Sequence, residues 1–372
     1  MTSDRLVSLD VFRGLTIAGM IVVNTPGTWD HVYPPLLHAE WHGWTYTDTI
    51  FPFFLFIVGV AMAFSYGRRM AKVEGRRALL LHTFRRAAVI FLIGLGLNGL
   101  SVILFHREHV RIPGVLQRIA VCFLCAALVY LAFGKRGLLP VAAVLLVGYW
   151  LLMTLVPVPG YSTGRLDVEG NLAAYVDRQV LGEHTWKHNP GWDPEGLLST
   201  LPAIASVIFG ILIGLTLGGD RPLRAKIQIL ALAGAAGFAA GLLWGIVFPI
   251  NKNLWTSSYC LLMAGLAAFC LALCVFVVDF KHWRFWTPPF QWLGSNALFL
   301  FVVSDLVTIL MIWIKLTGAD GKRRSLHGTI YRNAFDHFAD PRLGSLLFAL
   351  TYCALWTAIA GVLFRKKIFL KV

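Results

Sequence analysis

Charged residues are scarce in this sequence, and acidic ones are the scarcest. Asp, Glu, Lys and Arg make up 14% of the 372 residues, with 19 acidic against 33 basic side chains. This leaves too little polar surface to cover a soluble domain, which excludes a soluble enzyme. The chain has 57% hydrophobic residues and a mean hydropathy of +0.69. Its apolar runs extend over about 20 residues without alternation, which predicts membrane-spanning helices and excludes a barrel.

Cysteine is also rare, and its positions exclude several kinds of site. All six cysteines lie inside apolar runs, which indicates packing and not a disulfide framework, a redox pair or a metal site. The net charge of +14 comes from short basic clusters between the runs, where it sets orientation in the bilayer. We therefore expect the lipid bilayer as partner, with no nucleic acid and no metal.

The apolar windows predict an all-α integral membrane protein. Residues 1–372 are expected to form one transmembrane domain, a bundle of about ten helices, without a separate soluble domain. The first run lacks a cleavage site and is predicted to be a retained helix. The ten spans are expected near 6–25, 48–67, 86–105, 113–133, 138–157, 197–217, 227–249, 256–279, 289–314 and 343–364.

Basic residues predict the orientation of this bundle. With ten spans, 19 Lys and Arg residues lie on the side of both termini and 12 on the opposite side. Both termini are therefore predicted to be cytoplasmic. The three long connections, 26–47, 158–196 and 315–342, then share the outer side and are candidate site loops. The absence of an Asn-x-Ser/Thr sequon fits a bacterial inner membrane protein.

The first span carries three polar residues that lipid would not tolerate. Asp10, Arg13 and Asn24 fall within roughly 60° of one another on a helix, so they form a polar stripe. Because an ionisable group in a membrane helix is costly, the stripe must face a protein interior or a wet cavity. The alternative, a buried structural pair between Asp10 and Arg13, is equally consistent with the pattern.

Other polar candidates lie at the ends of spans. The first outer loop holds His31, His38 and His42 before Asp48 opens the second span, and their spacing is too loose to indicate zinc. Further candidates are Arg118, the Asn251-Lys252-Asn253 run, Asn296 and Asp305. Taken singly, each could cap a helix or extend its charge to the interface. Together, they indicate an interior polar cavity.

Eight motifs in order along the chain resemble those of the heparan-alpha-glucosaminide N-acetyltransferase family. This family contains lysosomal transmembrane acetyltransferases and bacterial relatives, including proteins associated with N-acetylglucosamine use. The motifs are RLVSLDVFRG at 5–14, HAEWHGWTYTDTIFPFFLFIVG at 38–59, VRIPGVLQR at 110–118, PVPG at 157–160, AYVDR at 174–178, DPEG at 193–196, NKNLWTSSY at 251–259 and RKKIF at 365–369.

The resemblance implies an acetyl-CoA-dependent N-acetyltransferase. Such an enzyme takes an acetyl group from cytoplasmic acetyl-CoA and transfers it to the amine of a glucosamine-type sugar or glycan terminus on the periplasmic side. It implies His38 as the catalytic base and Asn24 beside the acetyl group, with Asp48 completing the catalytic cluster. Transfer would be direct or would pass through an acetyl-histidine. The candidates for binding acetyl-CoA are Asp10, Arg13, Arg118, Asn251, Lys252, Asn253 and Asn296.

The sequence departs from the family pattern in two places. No counterpart of the N-terminal lumenal domain of the lysosomal enzymes is expected ahead of the first predicted span, which leaves the acceptor undefined. It also has Ser304 and Asp305 where the resemblance suggests His-Glu, so no histidine of the ninth span is expected to act. The resemblance is compatible with a homodimer.

Two other functions are consistent with a polar cavity inside a ten-helix bundle. An amino sugar transporter would also need a polar site at the bilayer midplane and interrupted helices, for which Pro52 and the FPINKN segment at 248–253 are suitable. Transport would not require acetyl-CoA. A non-catalytic scaffold is disfavoured, because a buried ionic stripe is costly in a protein without a site.

Overall fold

The computed structural model of the chain describes residues 6–70, 76–188, 191–317 and 321–370. These residues form twelve α-helices and two short antiparallel hairpins, β1–β2 and β3–β4. The helices are α1 (Val7–Asn24), α2 (Tyr46–Met70), α3 (Arg76–Phe105), α4 (Val115–Leu155), α5 (Leu172–Leu181), α6 (Thr200–Gly218), α7 (Leu223–Trp244), α8 (Ser257–Cys274), α9 (Pro288–Ser295), α10 (Ala297–Trp313), α11 (Leu326–Ala334) and α12 (Pro341–Arg365). The strands are β1 (Lys187–His188), β2 (Gly191–Trp192), β3 (Lys315–Thr317) and β4 (Arg323–Ser325).

The number of membrane crossings agrees with the prediction of about ten. Among the described residues, eight helices are long and apolar enough to cross a membrane, and the bent pair α9–α10 can supply a ninth crossing. Helix α4 has 41 residues and is about 60 Å long, roughly twice the hydrocarbon thickness. It is broken at Gly134, whose φ of 60° is non-helical, so its two halves are each long enough for one crossing. The predicted all-α polytopic fold is confirmed.

The ninth predicted span, 289–314, is formed by two helices and not by one straight helix. Helices α9 and α10 meet at an angle of 83°. Asn296 lies between them with φ −127° and ψ 34°. Its side chain donates to the carbonyl of Ile368 at 3.0 Å and accepts from the amide of Leu370 at 2.8 Å. These two bonds hold the residue outside helical geometry and explain the break.

Two of the long connections contain more structure than predicted. The segment 158–196 contains α5 and the β1–β2 hairpin, and the segment 315–342 contains β3–β4 and α11. The cytoplasmic location of the termini stays a prediction. Arg5, Lys72 and Lys371, which contribute to the charge count, lie outside the described residues.

The described residues fall into two compact units, and the proposed single domain stays a prediction. Unit 1 contains residues 6–38, 45–50 and 273–370, and α1 packs there against α9, α10 and α12. Helices α1 and α9 approach so closely that a Cβ on Gly14 would lie 1.8 Å from the carbonyl oxygen of Phe290. Asp279 accepts from the backbone amides of Val7 and Ser8 at 3.2 Å, which satisfies two free amides at the start of α1.

Unit 2 contains residues 39–44 and 51–272 and is built around α4 and α6. Helices α2 and α6 cross at Gly59, where an added Cβ would lie 2.0 Å from the carbonyl oxygen of Val207. Tyr149, in the second half of α4, is fully buried and donates to the carbonyl of Leu254 at 2.6 Å. This bond fixes the turn before α8 to the second half of α4.

Candidate functional site

A histidine–carboxylate pair lies at the N-terminal end of α2, within unit 1. His38 Nδ1 lies 2.5 Å from Asp48 Oδ1. The carboxylate is 1% exposed, whereas the imidazole is 52% exposed. Because a carboxylate only accepts, Nδ1 carries the hydrogen, and in the neutral ring Nε2 is then the acceptor. The geometry is that of a general base held by an orienting acid.

The first turn of α2 holds Asp48 in place. Thr45 precedes the helix, and its backbone amide donates to Asp48 Oδ2 at 3.0 Å, as in a capping box. The Thr45 hydroxyl in turn donates to the carbonyl of Leu37 at 2.5 Å. Each oxygen of Asp48 therefore has its own donor. Thr45 also links the residue before His38 to the start of the helix that carries Asp48.

Asn24 is the last residue of α1 and is exposed. Its side chain makes no hydrogen bond within the described part of the chain. The residue lines a shallow cleft in unit 1 that is open to solvent and contains about 200 Å³ of empty space. No hydrogen bond links it to His38 among those residues. Its amide is therefore available to a ligand. The other residues that line the cleft are Met20, Ile21, Thr25, Phe301, Ser304 and Asp305.

Asp10 and Arg13 form the ion pair that was one of two alternatives from the sequence, with 3.6 Å between Oδ1 and Nη1. Arg13 also donates to the carbonyl of Gly294 on α9 at 3.2 Å. Both side chains are partly exposed. Along α1 the pair lies about 20 Å from Asn24, so one small group could not contact both ends of the stripe.

Arg118 is buried inside unit 2 and binds backbone. Its guanidinium donates to the carbonyls of Pro194 and Gly196, each at 2.9 Å, and to the hydroxyl of Ser199. It also lies over the ring of Trp255 at 5.2 Å. These contacts anchor the segment before α6 and leave Arg118 a structural role.

A second ion cluster in unit 2 was not predicted as a cluster. Arg111 contacts both oxygens of Asp193, at 2.6 and 2.8 Å, and also contacts Glu195. Burial opposes the ionisation of Glu195, but the adjacent guanidinium lowers its pKa overall. Burial raises the pKa of Asp177 on α5 to about 7. These charged residues belong to the VRIPGVLQR, AYVDR and DPEG motifs. The sequence alone does not show that the three motifs lie next to one another.

The Asn251-Lys252-Asn253 run forms a turn in unit 2. Asn251 is fully buried, and its side chain accepts from the amide of Leu254 at 2.9 Å and lies 3.4 Å from His42 Nδ1. Burial lowers the pKa of His42, which favours a neutral ring. A neutral ring can accept a hydrogen bond from the side-chain amide of Asn251. Lys252 and Asn253 are half-buried, and the Lys252 charge acts on Glu195.

The structure therefore brings some predicted residues together and separates others. His38 and Asp48 form one pair, and Asp10 and Arg13 form another. Arg118, Asn251 and Asn296 use their side chains to hold backbone. The sequence did not predict Thr45, which orients the acid.

The amino-acid sequence of this chain is similar to those of one family of known proteins. A family model described as "Heparan-alpha-glucosaminide N-acetyltransferase, catalytic" matches residues 5–166. The human protein named heparan-alpha-glucosaminide N-acetyltransferase is 29% identical over 422 aligned residues, covering 99% of this chain and 60% of the human protein. The mouse protein of the same name is 28% identical, covering 100% of this chain and 61% of its own length. The chain thus spans about 60% of the length of these relatives.

Proposed function

Because this chain is similar to the heparan-alpha-glucosaminide N-acetyltransferases, we propose that it is a transmembrane acetyltransferase. The donor is acetyl-CoA, and the acceptor is the amine of a glucosamine-type sugar. The observation that carries the proposal is the His38–Asp48 pair, in which a buried acid orients a solvent-accessible imidazole. Amide formation from a thioester requires such a base, since the attacking amine must lose a proton.

In the proposed reaction, His38 Nε2 accepts one proton from the acceptor amine. The nitrogen attacks the thioester carbonyl, a C–N bond forms and the C–S bond breaks. The sulfur leaves as coenzyme A thiolate and takes up the proton. The Asn24 amide donates to the oxygen that becomes negative at the carbonyl, an effect worth about 3 kcal/mol where comparable donors were removed.

The proposed sidedness places the donor at the cytoplasmic face and the acceptor outside. Coenzyme A is bulky and anionic, so passing only its acetyl arm through the protein costs less than moving the whole molecule, and basic cytoplasmic loops suit its phosphates. Seven residues are candidates for binding acetyl-CoA. Four of them are accessible enough to touch a ligand: Asp10, Arg13, Lys252 and Asn253. Arg118, Asn251 and Asn296 hold backbone within their own units.

The test uses protein reconstituted in liposomes, radiolabelled acetyl-CoA and a panel of amino sugars. Wild type should transfer label to a sugar amine, and His38→Ala should abolish transfer while still binding acetyl-CoA. The matched control is His31→Ala, which removes an exposed histidine of the same loop and should transfer normally. Equal turnover of the His38 and His31 variants would remove His38 from the mechanism.

An amino sugar transporter is the second candidate, and the 83° break between α9 and α10 favours it because transporters place such breaks at their binding sites. Uptake of labelled glucosamine into liposomes without acetyl-CoA, together with no transfer to any sugar, would put transport first. The protein is a multi-pass integral membrane protein, and we assign it to a bacterial inner membrane as part of the proposal.

A further inference from the structure

The cleft at the end of α1 contains an acid that the proposed reaction does not use. Asp305 lies on α10 and lines the cleft with Asn24. It is half-buried and makes neither a hydrogen bond nor an ion pair with any other described residue. A carboxylate in a membrane-spanning helix is costly unless it meets a cation or donors, so this position favours a ligand that supplies them.

The polar groups next to Asp305 are already committed to other partners. The Ser304 hydroxyl donates to the carbonyl of Phe301 at 2.9 Å. The Tyr352 hydroxyl donates to the Ser304 carbonyl at 2.9 Å, and the Thr308 hydroxyl donates to the same carbonyl at 2.9 Å. Since each hydroxyl has one hydrogen to give, neither Ser304 nor Tyr352 donates to the acid. The cleft therefore presents a carboxylate and the Asn24 amide to whatever enters it.

We infer that Asp305 is the residue that recognises the acceptor, by pairing its carboxylate with the ammonium group of the incoming amino sugar. This inference rests on the proposed function and names the group that selects its substrate. Amines of this class are largely protonated at or below neutral pH. A charge-assisted bond to a carboxylate fixes such a group more firmly than a neutral bond does.

The same contact accounts for release of the product. The bound ammonium first loses a proton to solvent, and the amine then loses a second proton through His38 to the departing thiolate, which leaves a neutral amide. The amide has no charge for Asp305 to pair with, and its acetyl group adds bulk where the ammonium was held. Asp305 therefore discriminates between the amino sugar and its N-acetylated product, so that the site binds substrate more tightly than product.

The kinetic test replaces Asp305 with Asn, which keeps the shape and removes the charge. The KM for glucosamine should rise about tenfold to hundredfold, the range expected for loss of a charged hydrogen bond. The KM for acetyl-CoA and the kcat at saturating glucosamine should stay near wild type, since His38 is intact. Asp305→Glu should recover most of the loss. The matched control is Asp336→Asn, at an exposed carboxylate outside the cleft, and it should leave all three constants unchanged.

A binding test separates this inference from the proposed function. Thermal melting in detergent should show that glucosamine stabilises wild type more than N-acetylglucosamine does, and that Asp305→Asn loses this difference. If wild type transfers acetyl to glucosamine but Asp305→Asn keeps its KM and its discrimination, the inference fails and the proposed function stands. If wild type transfers to no amino sugar, the proposed function fails. Stabilisation by sodium ions alone, lost in Asp305→Asn, would assign the acid to an inorganic cation and overturn the inference.

Discussion

Replacing Asp48 with Asn is the sharpest test of the catalytic pair, because the surrounding bonds dictate how the new amide would sit. The backbone amide of Thr45 must donate to whichever atom replaces Asp48 Oδ2. The oxygen of the substituted side chain is therefore retained on that side, and its NH₂ group faces His38 Nδ1, where the carboxylate Oδ1 was. An NH₂ group donates, so Nδ1 must accept and the ring hydrogen moves to Nε2.

An imidazole protonated at Nε2 is unable to take the proton of the acceptor amine. General-base catalysis contributes about 10²- to 10⁴-fold, and an Asp→Asn change that imposes the wrong tautomer has cost about 10⁴-fold in a serine protease. We expect Asp48→Asn to lower kcat for acetyl transfer by about 10²- to 10⁴-fold, with an unchanged KM for acetyl-CoA. The assay is transfer of labelled acetyl to glucosamine by purified, reconstituted protein.

The matched control is Glu40→Gln, the same acid-to-amide change at an exposed residue close to His38 in the sequence, which should retain wild-type turnover. Melting temperatures of both variants should stay within a few degrees of wild type, because the hydrogen bond to Thr45 survives. A fully folded Asp48→Asn protein with kcat within about threefold of wild type would refute the tautomer argument and leave Asp48 a structural cap.

Three further predictions concern stability. The pKa of Asp177 is raised, so the folded state binds a proton more tightly than the unfolded state does. The free energy of unfolding should therefore fall as pH rises from 5 to 8, by at most about 1.4 kcal/mol per pH unit from this group. Asp177→Asn should flatten the dependence of melting temperature on pH. Gly59→Ala should destabilise the protein by about 1–3 kcal/mol, measured by thermal denaturation, since its Cβ would overlap the Val207 carbonyl at 2.0 Å. Asn296→Ala should cost about 1–3 kcal/mol and speed trypsin cleavage after Lys367, since two anchoring bonds are lost.

Each of these predictions has a matched control. Asp167→Asn removes an acid whose pKa is lowered, so it should leave the pH dependence between 5 and 8 unchanged. Gly96→Ala adds a methyl group in open space and should be neutral or slightly stabilising. Asn333→Ala, at an exposed position, should not change trypsin cleavage. A steep pH dependence in Asp177→Asn, or equal melting of the Gly59 and Gly96 variants, would contradict the packing described above.

The helices were largely predictable from sequence because the bilayer imposes a length on each apolar run. The break at Asn296 was not, since α9 and α10 taken together are apolar enough to be predicted as one span. The cause is a pair of bonds to Ile368 and Leu370, 72 and 74 positions away. The cap of α1 likewise comes from Asp279, 271 residues from Ser8. Hydropathy measures local composition and carries no information on such distant partners.

The candidate site was partly accessible from sequence. The choice of His38 and Asp48 came from the family resemblance, and the structure places them within hydrogen-bonding distance. Local patterns could not distinguish residues that face a cleft from residues that hold backbone. Arg118 and Asn24 are both polar residues in apolar surroundings, but the first is 2% exposed and bound to carbonyls whereas the second lines an open cleft.

The two hydrogen bonds of the Asn296 side chain also bear on how the protein folds during synthesis. Its two bonding partners are translated 72 and 74 residues after it. While the ribosome is still synthesising α10, α11 and α12, the junction between α9 and α10 lacks the contacts that hold it bent. Helix α10 therefore reaches its final orientation relative to α9 late in biogenesis, after the last helix has entered the membrane. This helix carries one wall of the cleft, formed by Phe301, Ser304 and Asp305.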